Sequence, residues 1–475
     1  MSAHDPQHLS IARNLKIGLF HLGSGMADVL ATGVWNRIMI TDLGFSATPI
    51  GILVSLRYFL APLGVWAGRM SDRHAVGGYR RLFWVWLGRA LMVASLLMLG
   101  VSTASIARGV EVTPLIWLAL SLSLLLFSFG TAISGSTFLA LIYDRAPERE
   151  RGRAVGLVWT FLLLGFSVGG VVFGLMLPPA QGLMSLRDFG SASFITYVQN
   201  PGGLRFSPET LQNLFVAAAV ILGGLWFFSL FGEERRSRGA VKPQPGSEAQ
   251  TSLVDDLRLA WRNRQTRLFF WYLSLSMLFA FTQDLILEPF AGDVFRMDAR
   301  HTTRFAAYWG SMAILGTLVF LALSRRYPRL TNAVMNYIGV GVLIVTFGVF
   351  ALSSLAQIRG LVTPGLILLG IGLGVWNIGT LGMMMEMSPF GSAGTFLGFW
   401  TLVVTIARGV GVSGGGVLRD LFLNLTGSHS LAYGLVFLIE AVGLIVALVI
   451  LTRINVSVFK RETTETAAVL AGAMD

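Results

Sequence analysis

Eight acidic or arginine side chains fall within the long apolar runs of this chain, away from their first residues: Asp28, Arg37, Arg57, Arg89, Asp284, Glu288, Arg408 and Glu440. A charge in hydrocarbon is costly, so each must pair, reach water or do chemical work. Depth sorts them. Asp28 and Arg57 each lie about 11 residues, roughly 16 Å at the helical rise, from the same end of their runs. Arg408 and Glu440 match at roughly 21 and 18 Å. The spacing predicts two interhelical ion pairs, Asp28–Arg57 and Arg408–Glu440; the alternative is that each group faces a wet cavity on its own. Arg89 and Arg37 lie near run ends, where a long side chain snorkels to the interface. Asp284 and Glu288 precede Pro289, which is expected to end its helix. They either bind a substrate or partner, or cap and bridge loops.

The wider inventory narrows the chemistry. Cysteine is absent, which excludes disulfides, thiolate metal sites and cysteine nucleophiles. No nucleophile–base pairing, metal-ligand cluster or phosphate loop stands out, so no enzyme and no metal site is predicted. The 475 residues are 54% hydrophobic and 13% charged, against roughly 25% charged in soluble domains. Such a chain dissolves in lipid.

The elements that position these groups are apolar runs of about 20 residues or more, the length that crosses a bilayer as a helix. They cover approximately 17–40, 47–68, 82–103, 114–141, 155–177, 210–231, 267–289, 304–324, 333–354, 364–385, 395–418 and 430–452. Barrel strands are excluded, because they read as shorter alternating segments. Lys and Arg favour one side of these runs roughly threefold, which predicts cytoplasmic N- and C-termini. The net charge of +11 therefore reads as membrane topology and not as a nucleic-acid surface.

The longest polar segment, 233–264, contains a Lys242–Ser247 linker composition and a short amphipathic stretch, Leu253–Trp261. It divides the chain into halves, 1–232 and 265–475. The loop 178–208 reads as a connector, with contact to the bundle mouth or a partner as the alternative. The halves are related. Asp144, Pro147 and Gly152 recur as Glu386, Pro389 and Gly394 at one offset of 242, as do Gly156/Gly398, Gly169/Gly411 and Gly174/Gly416. This is a parallel repeat, the arrangement of major-facilitator transporters. The fold class expected is an all-α polytopic membrane protein, major-facilitator-like, with twelve transmembrane helices in two six-helix halves.

Between the second and third runs, Gly68-Arg69-Met70-Ser71-Asp72-Arg73 and then Arg80-Arg81 resemble the major-facilitator loop signature. Gly68 is expected to let helices approach closely, and Asp72 to accept from a helix N-terminus or an arginine. Gly68, Asp72, Arg73, Arg80 and Arg81 would then form a latch; the alternative is a loop whose arginines only set topology. The corresponding loop, Ser324–Arg329, has lost the acid. Gly165, Gly169, Gly170 and Gly174 form a small-residue packing face. The fourth run has no arginine, unlike the proton-coupled antiporters of the superfamily, which argues against ordinary proton-driven drug export.

Two stretches carry a sharper resemblance. Gln283-Asp284-Leu285-Ile286-Leu287-Glu288-Pro289-Phe290-Ala291-Gly292-Asp293-Val294-Phe295, together with the stretch from Gly25–Leu30 through Trp35-Asn36-Arg37-Ile38-Met39-Ile40, resembles the PucC/LhaA family. These are major-facilitator-like proteins of phototrophic bacteria that assist assembly of light-harvesting complexes. The resemblance covers essentially the whole chain and leans toward the LhaA-like branch. It implies a multi-pass protein of the bacterial inner, intracytoplasmic photosynthetic membrane. It also implies handling of bacteriochlorophyll and possible carotenoid, and antenna polypeptides as partners, with reaction-centre assembly or pigment-synthesis proteins besides. A chlorophyll magnesium needs one axial ligand. His21 is the one histidine clearly within a run, although a lone histidine is more often structural; Asn36, Asn377 and Glu386 are alternative oxygen ligands. The competing function is a secondary transporter of a small hydrophobic or anionic molecule.

Overall fold

The structure, a computed structural model, describes residues 11–145, 151–178, 207–234, 261, 263–388, 393–459 and 461. The segments 146–150, 179–206, 235–260 and 389–392 and the tail beyond 461 lie outside the described residues. With them go Pro147, Pro389 and most of the expected linker and long loop.

Among the described residues, twelve helices are long and apolar enough to cross a membrane. They are α1 (Arg13–Asp42), α2 (Ala47–Asp72), α3 (Leu82–Ala107), α4 (Pro114–Ile142), α5 (Val158–Met176), α6 (Pro208–Leu230), α7 (Arg264–Phe295), α8 (Ala299–Arg326), α9 (Asn332–Leu355), α10 (Arg359–Glu386), α11 (Phe396–Thr426) and α12 (His429–Leu451). Each corresponds to one apolar run, because run length is what a span requires.

Besides a turn at Arg304 in α8 and a 3-10 start to α10, three helices depart from regularity near the charged groups. α1 loosens to a π-helix at Val29–Val34 and again at Ile38–Asp42. Thr32 Oγ1 donates to the Asp28 carbonyl at 2.7 Å within the first of these stretches, and π-bulges of this kind mark functional stretches. α2 breaks at Leu60, where Pro62 follows and removes a ladder donor. α7 breaks at Thr282 and resumes over Gln283–Phe295 with Pro289 inside the helix.

Contacts group the chain into two compact units. Unit 1 contains Met1–Pro243, Asp284–Ser311 and Ser413–His429; unit 2 contains Gln244–Gln283, Met312–Val412 and Ser430–Asp475. Two stretches from the sequence's second half thus belong with unit 1. Within unit 1, glycines bring helices together. A Cβ on Gly25 would strike the Leu162 carbonyl, and one on Gly165 the Leu22 carbonyl. Gly169 faces Met26, Gly170 faces Ala307 and Gly174 faces Arg304. The four glycines of α5 are thus a packing face against α1 and the start of α8. Unit 2 is held partly by a buried polar network. Asn336 Oδ1 accepts from Tyr272 at 2.7 Å and from Thr380 at 2.8 Å, and Trp376 donates to the Tyr272 hydroxyl at 3.2 Å.

Candidate functional site

The two motif stretches of α1 and α7 meet inside unit 1. Proline at 289 has no N–H, so the carbonyl four residues back, on Leu285, loses its helical donor. Asn36 supplies the replacement: its Nδ2 donates to the Leu285 carbonyl at 2.7 Å, fully buried. The Asn36 Oδ1 accepts from the Arg37 backbone at 2.7 Å. Pro289 therefore does not end the helix as the sequence suggests, because a side chain from α1 satisfies the group it frees. The Asn36 amide is occupied at both ends, which leaves it a joint between helices and a poor pigment ligand.

Arg37 is also not at an interface. Its side chain is 4% exposed, Nη1 lies 2.8 Å from Asp42 Oδ1, and Nη2 donates to the Met297 carbonyl at 2.8 Å. Its guanidinium packs on Gly292, where any Cβ would lie 2.6 Å from Cζ. Snorkelling is unnecessary once protein supplies both counter-charge and acceptor. Glu288 is buried, with its carboxylate beside Gly33 in the π-helical part of α1.

A cavity of about 420 Å³ opens next to this joint, and all of its lining residues belong to unit 1. Its charged walls are Arg37, Asp42, Asp293, Arg296, Arg419 and Asp420, with His429 at the side. Arg419 bridges Asp293 and Asp420, at 2.9 Å to each. Asp420 in turn caps the start of α2: it accepts from the backbone of Ala47 and Thr48 at 3.0 and 2.7 Å and from the Thr48 hydroxyl at 2.7 Å. An acid at a helix N-terminus satisfies orphan N–H groups and the helix dipole together. Sequence reasoning missed Arg419 and Asp420. Their one signal is an Arg-Asp pair just past the apolar run of α11.

Deeper in unit 1, Arg57 Nη1 meets Asp28 Oδ1 at 2.6 Å and its Nη2 donates to the Tyr58 hydroxyl at 2.9 Å. Asp284 lies within electrostatic range of the same guanidinium. Arg89 does not reach an interface. It is buried, with its guanidinium 4.1 Å from the Phe20 ring and 4.6 Å from the Trp226 ring. Two aromatic faces replace water for this cation. His21 lies alongside, half-buried, 4.9 Å from Phe138 edge-on and 6.4 Å from Trp159. Its Nδ1 is buried with no hydrogen-bond partner among the described residues.

In unit 2, the Arg408 guanidinium lies 3.9 Å over the Phe281 ring, and Glu440 is fully buried on α12. Asn377 is exposed. Glu386 accepts from Asn332 Nδ2 at 2.9 Å.

At the loop joining α2 and α3, Asp72 pairs with Arg80 at 3.0 Å and Arg81 at 2.6 Å. Arg81 also reaches Asp144 at 3.0 Å and the Ser71 hydroxyl at 2.6 Å. The N-terminus of α3 goes to a different acid. Glu234, just after α6, accepts from the backbone of Arg80, Arg81 and Leu82. Gly68 departs from expectation, since a Cβ there would meet nothing within 4 Å among the described residues. The close approach belongs to Gly64, whose Cβ would sit 2.9 Å from the Ala132 carbonyl. The Arg73 side chain lies outside the described residues.

Twelve spans with glycine-mediated packing and paired intramembrane charges define a polytopic membrane protein of the major-facilitator fold. Solved transporters share it. A bacterial homologue of the human lysosomal transporter Spinster, inward-facing and unoccupied, matches at a TM-score of 0.67 and 17% identity over 95% of this chain and 98% of its own. A D-xylose–proton symporter matches at 0.60 and 13%, over 91% and 96%. The sequence profile of the PUCC protein family matches residues 34–459, and the chain belongs to that family. Among its relatives, a protein named PucC from Rhodovulum sulfidophilum is 30% identical over 87% of this chain and 86% of its own. A protein named bacteriochlorophyll synthase 44.5 kDa chain, from Rhodobacter capsulatus, is 31% identical over 92% and 94%. A PucC from Cereibacter sphaeroides is 29% identical over 93% and 92%. These identities do not separate a LhaA-like branch from the rest.

Proposed function

We propose that this protein assists assembly of light-harvesting antenna complexes, and that it handles bacteriochlorophyll while antenna polypeptides enter the membrane. Its setting in this reading is the photosynthetic inner membrane of a phototrophic bacterium, with both termini cytoplasmic. Reaction-centre assembly or pigment-synthesis proteins are further partners. Membership of the PucC family supports the assembly role, and the setting of His21 carries the pigment role. A ring nitrogen buried without a hydrogen-bond partner is unusual. Phe20 and Phe138 beside it are buried and stacked on each other, while the exposed Trp159 indole, 6.4 Å from the His21 ring, offers an aromatic surface to a flat macrocycle. A bacteriochlorophyll magnesium takes one axial nitrogen or oxygen ligand, and His21 is the residue that fits. A carotenoid is a second apolar guest in the same reading.

The test is purification from a phototrophic host, a near-infrared and visible absorption spectrum, and identification of co-purifying small hydrophobic polypeptides. Pigment and antenna polypeptides together, with pigment lost in His21→Phe at unchanged folded yield, are the expected result. A colourless, partner-free protein that moves a small molecule across liposomes favours the second reading, a secondary transporter. The fold shared with solved transporters and the charged cavity beside Arg37 support that alternative.

A further inference from the structure

The two units balance charge differently at the ends of their spans. In unit 1, at the end that carries the α2–α3 loop, four cations each reach an acid. Arg13 and Lys16 meet Glu233 at 2.8 and 3.4 Å, and Arg80 and Arg81 meet Asp72 at 3.0 and 2.6 Å. At the corresponding end of unit 2, Arg264 opens α7, Arg325 and Arg326 close α8, Arg329 lies in the turn to α9, and Arg453 follows α12. All five are exposed, and none has an ion-pair partner among the described residues. Glu386 is the one acid described at this end of unit 2, and its carboxylate already accepts from Asn332 Nδ2 at 2.9 Å. We propose that the α8–α9 turn, through Arg325, Arg326 and Arg329, is a binding site for the headgroup of an anionic phospholipid. The inference stands whichever molecule the protein handles.

Three observations favour a lipid over a loop whose arginines only set topology. First, setting topology needs positive charge on one side, paired or not. Unit 1 meets that need with neutralised arginines, whereas unit 2 leaves three guanidinium groups within five residues open to a ligand. Arginine presents a planar fork that matches phosphate oxygens in pairs, and basic clusters just beyond a span attract anionic headgroups. Second, the cations stand on an apolar wall of the same helix. Leu315, Leu318, Ala322 and Arg325 follow one another at spacings of three and four residues, so they share one face of α8, and all four are exposed. A molecule with an anionic head and an acyl chain matches that stripe along its length, whereas an acidic protein segment would use the cations alone. Third, Tyr327 lies exposed between the arginines, and tyrosine is a residue of the headgroup level.

The test titrates purified full-length protein in detergent with phosphatidylglycerol or with phosphatidylcholine of the same chains, and counts bound lipid by native mass spectrometry. An arginine near an anionic surface contributes a factor of about five, so the parent should prefer phosphatidylglycerol by about tenfold or more at low salt. The triple variant Arg325→Gln, Arg326→Gln, Arg329→Gln should lose that preference, and the corresponding triple lysine variant should keep most of it. A second triple, Arg69→Gln, Arg264→Gln, Arg453→Gln, removes three other exposed arginines from the span ends and should keep the preference. A parent without preference, or a first triple that retains it, overturns the proposal. Equal loss in both triples also overturns it, because the attraction is then diffuse. So does displacement of bound phosphatidylglycerol by hexaglutamate or by inorganic phosphate at matched concentration, which would assign the arginines to an acidic protein segment or a free anion. If the first triple does not fold, the double variant Arg325→Gln, Arg329→Gln carries the same comparison.

Discussion

Replacing Asn36 by Leu should destabilise the protein chiefly because Pro289 is where it is. In the parent, the Leu285 carbonyl has lost its helical donor to proline and gained Asn36 Nδ2 at 2.7 Å. Asn36→Leu removes that donor from a fully buried site. An unsatisfied buried acceptor costs about 1–3 kcal/mol, and interhelical hydrogen bonds in membrane proteins give about 0.6–2 kcal/mol, so a loss of about 1–2 kcal/mol is expected. Pro289→Ala restores an N–H at position 289 and alone should change little, because a carbonyl oxygen accepts two bonds. In the double variant that restored backbone N–H serves the carbonyl that Asn36 has abandoned. Asn36→Leu should then cost about 1 kcal/mol less than in the proline background. Loss of the Oδ1 contact to the Arg37 backbone occurs in both backgrounds and cancels in the cycle. Reversible unfolding of the purified protein in mixed detergent micelles, followed by tryptophan fluorescence, reads all four corners. Strict additivity refutes the freed-carbonyl argument.

Three other outcomes follow from packing and charge. Asp28→Asn and Arg57→Gln should each cost about 1–3 kcal/mol, below the range for wholly buried pairs because Asp28 keeps 28% exposure. The double neutralisation should cost less than the sum, read by the same unfolding assay. Arg89→Met and Trp226→Leu should couple by about 1–2 kcal/mol, since the guanidinium lies 4.6 Å from that ring; zero coupling removes the cation–π assignment. Gly25→Ala should cost about 2 kcal/mol or more by overpacking against the Leu162 carbonyl. Gly68→Ala should be neutral, or stabilising by up to about 1 kcal/mol from helix propensity, and thermal aggregation temperatures of the two variants compare them directly.

The twelve spans were legible because span length and apolarity are local properties that no tertiary contact can override in lipid. The glycine face of α5 was legible for the same reason: its four-residue spacing is written in one helix. Depth counting placed Asp28 and Arg57 at one level, where they meet at 2.6 Å. Depth says nothing about lateral neighbours, and there it misled. Arg89 and Arg37 lie near run ends but find aromatic faces, Asp42 and a backbone carbonyl closer than water. Pro289 looked like a terminator because its rescue comes from Asn36, in a different span. Gly68 looked like a packing glycine by its place in a loop signature, while Gly64, one turn earlier, makes the approach. The Arg419–Asp420 cluster was hidden because its partners, Asp293 and the start of α2, lie far away in sequence.

The two charged clusters of unit 1 differ in exposure, and that difference argues for different work. Around the α2–α3 loop, Asp72 is 50%, Asp144 43% and Arg80 36% exposed, so that the buried Arg81, at 7%, pairs with acids that water reaches. Pairs in water contribute little and are screened by salt over roughly 8–10 Å. Around the cavity, Arg37, Asp293 and Arg419 are 4–6% exposed and Asp420 is 14%. There the desolvation of each charge is already spent, so losing one partner leaves the other stranded. Raising salt from about 0.05 to about 0.5 M shortens the screening length several-fold. Hydrogen exchange of residues 74–81 should accelerate under that change, while exchange at Ala47 and Thr48, whose amides Asp420 holds, should stay constant. Equal acceleration at both ends would mean that the cavity's charges are solvated. The two motif stretches that resemble the family converge on the buried end. A family signature made of asparagine, arginine, glutamate, proline and aspartate is understandable there, because at that end each residue's partner is another part of the chain.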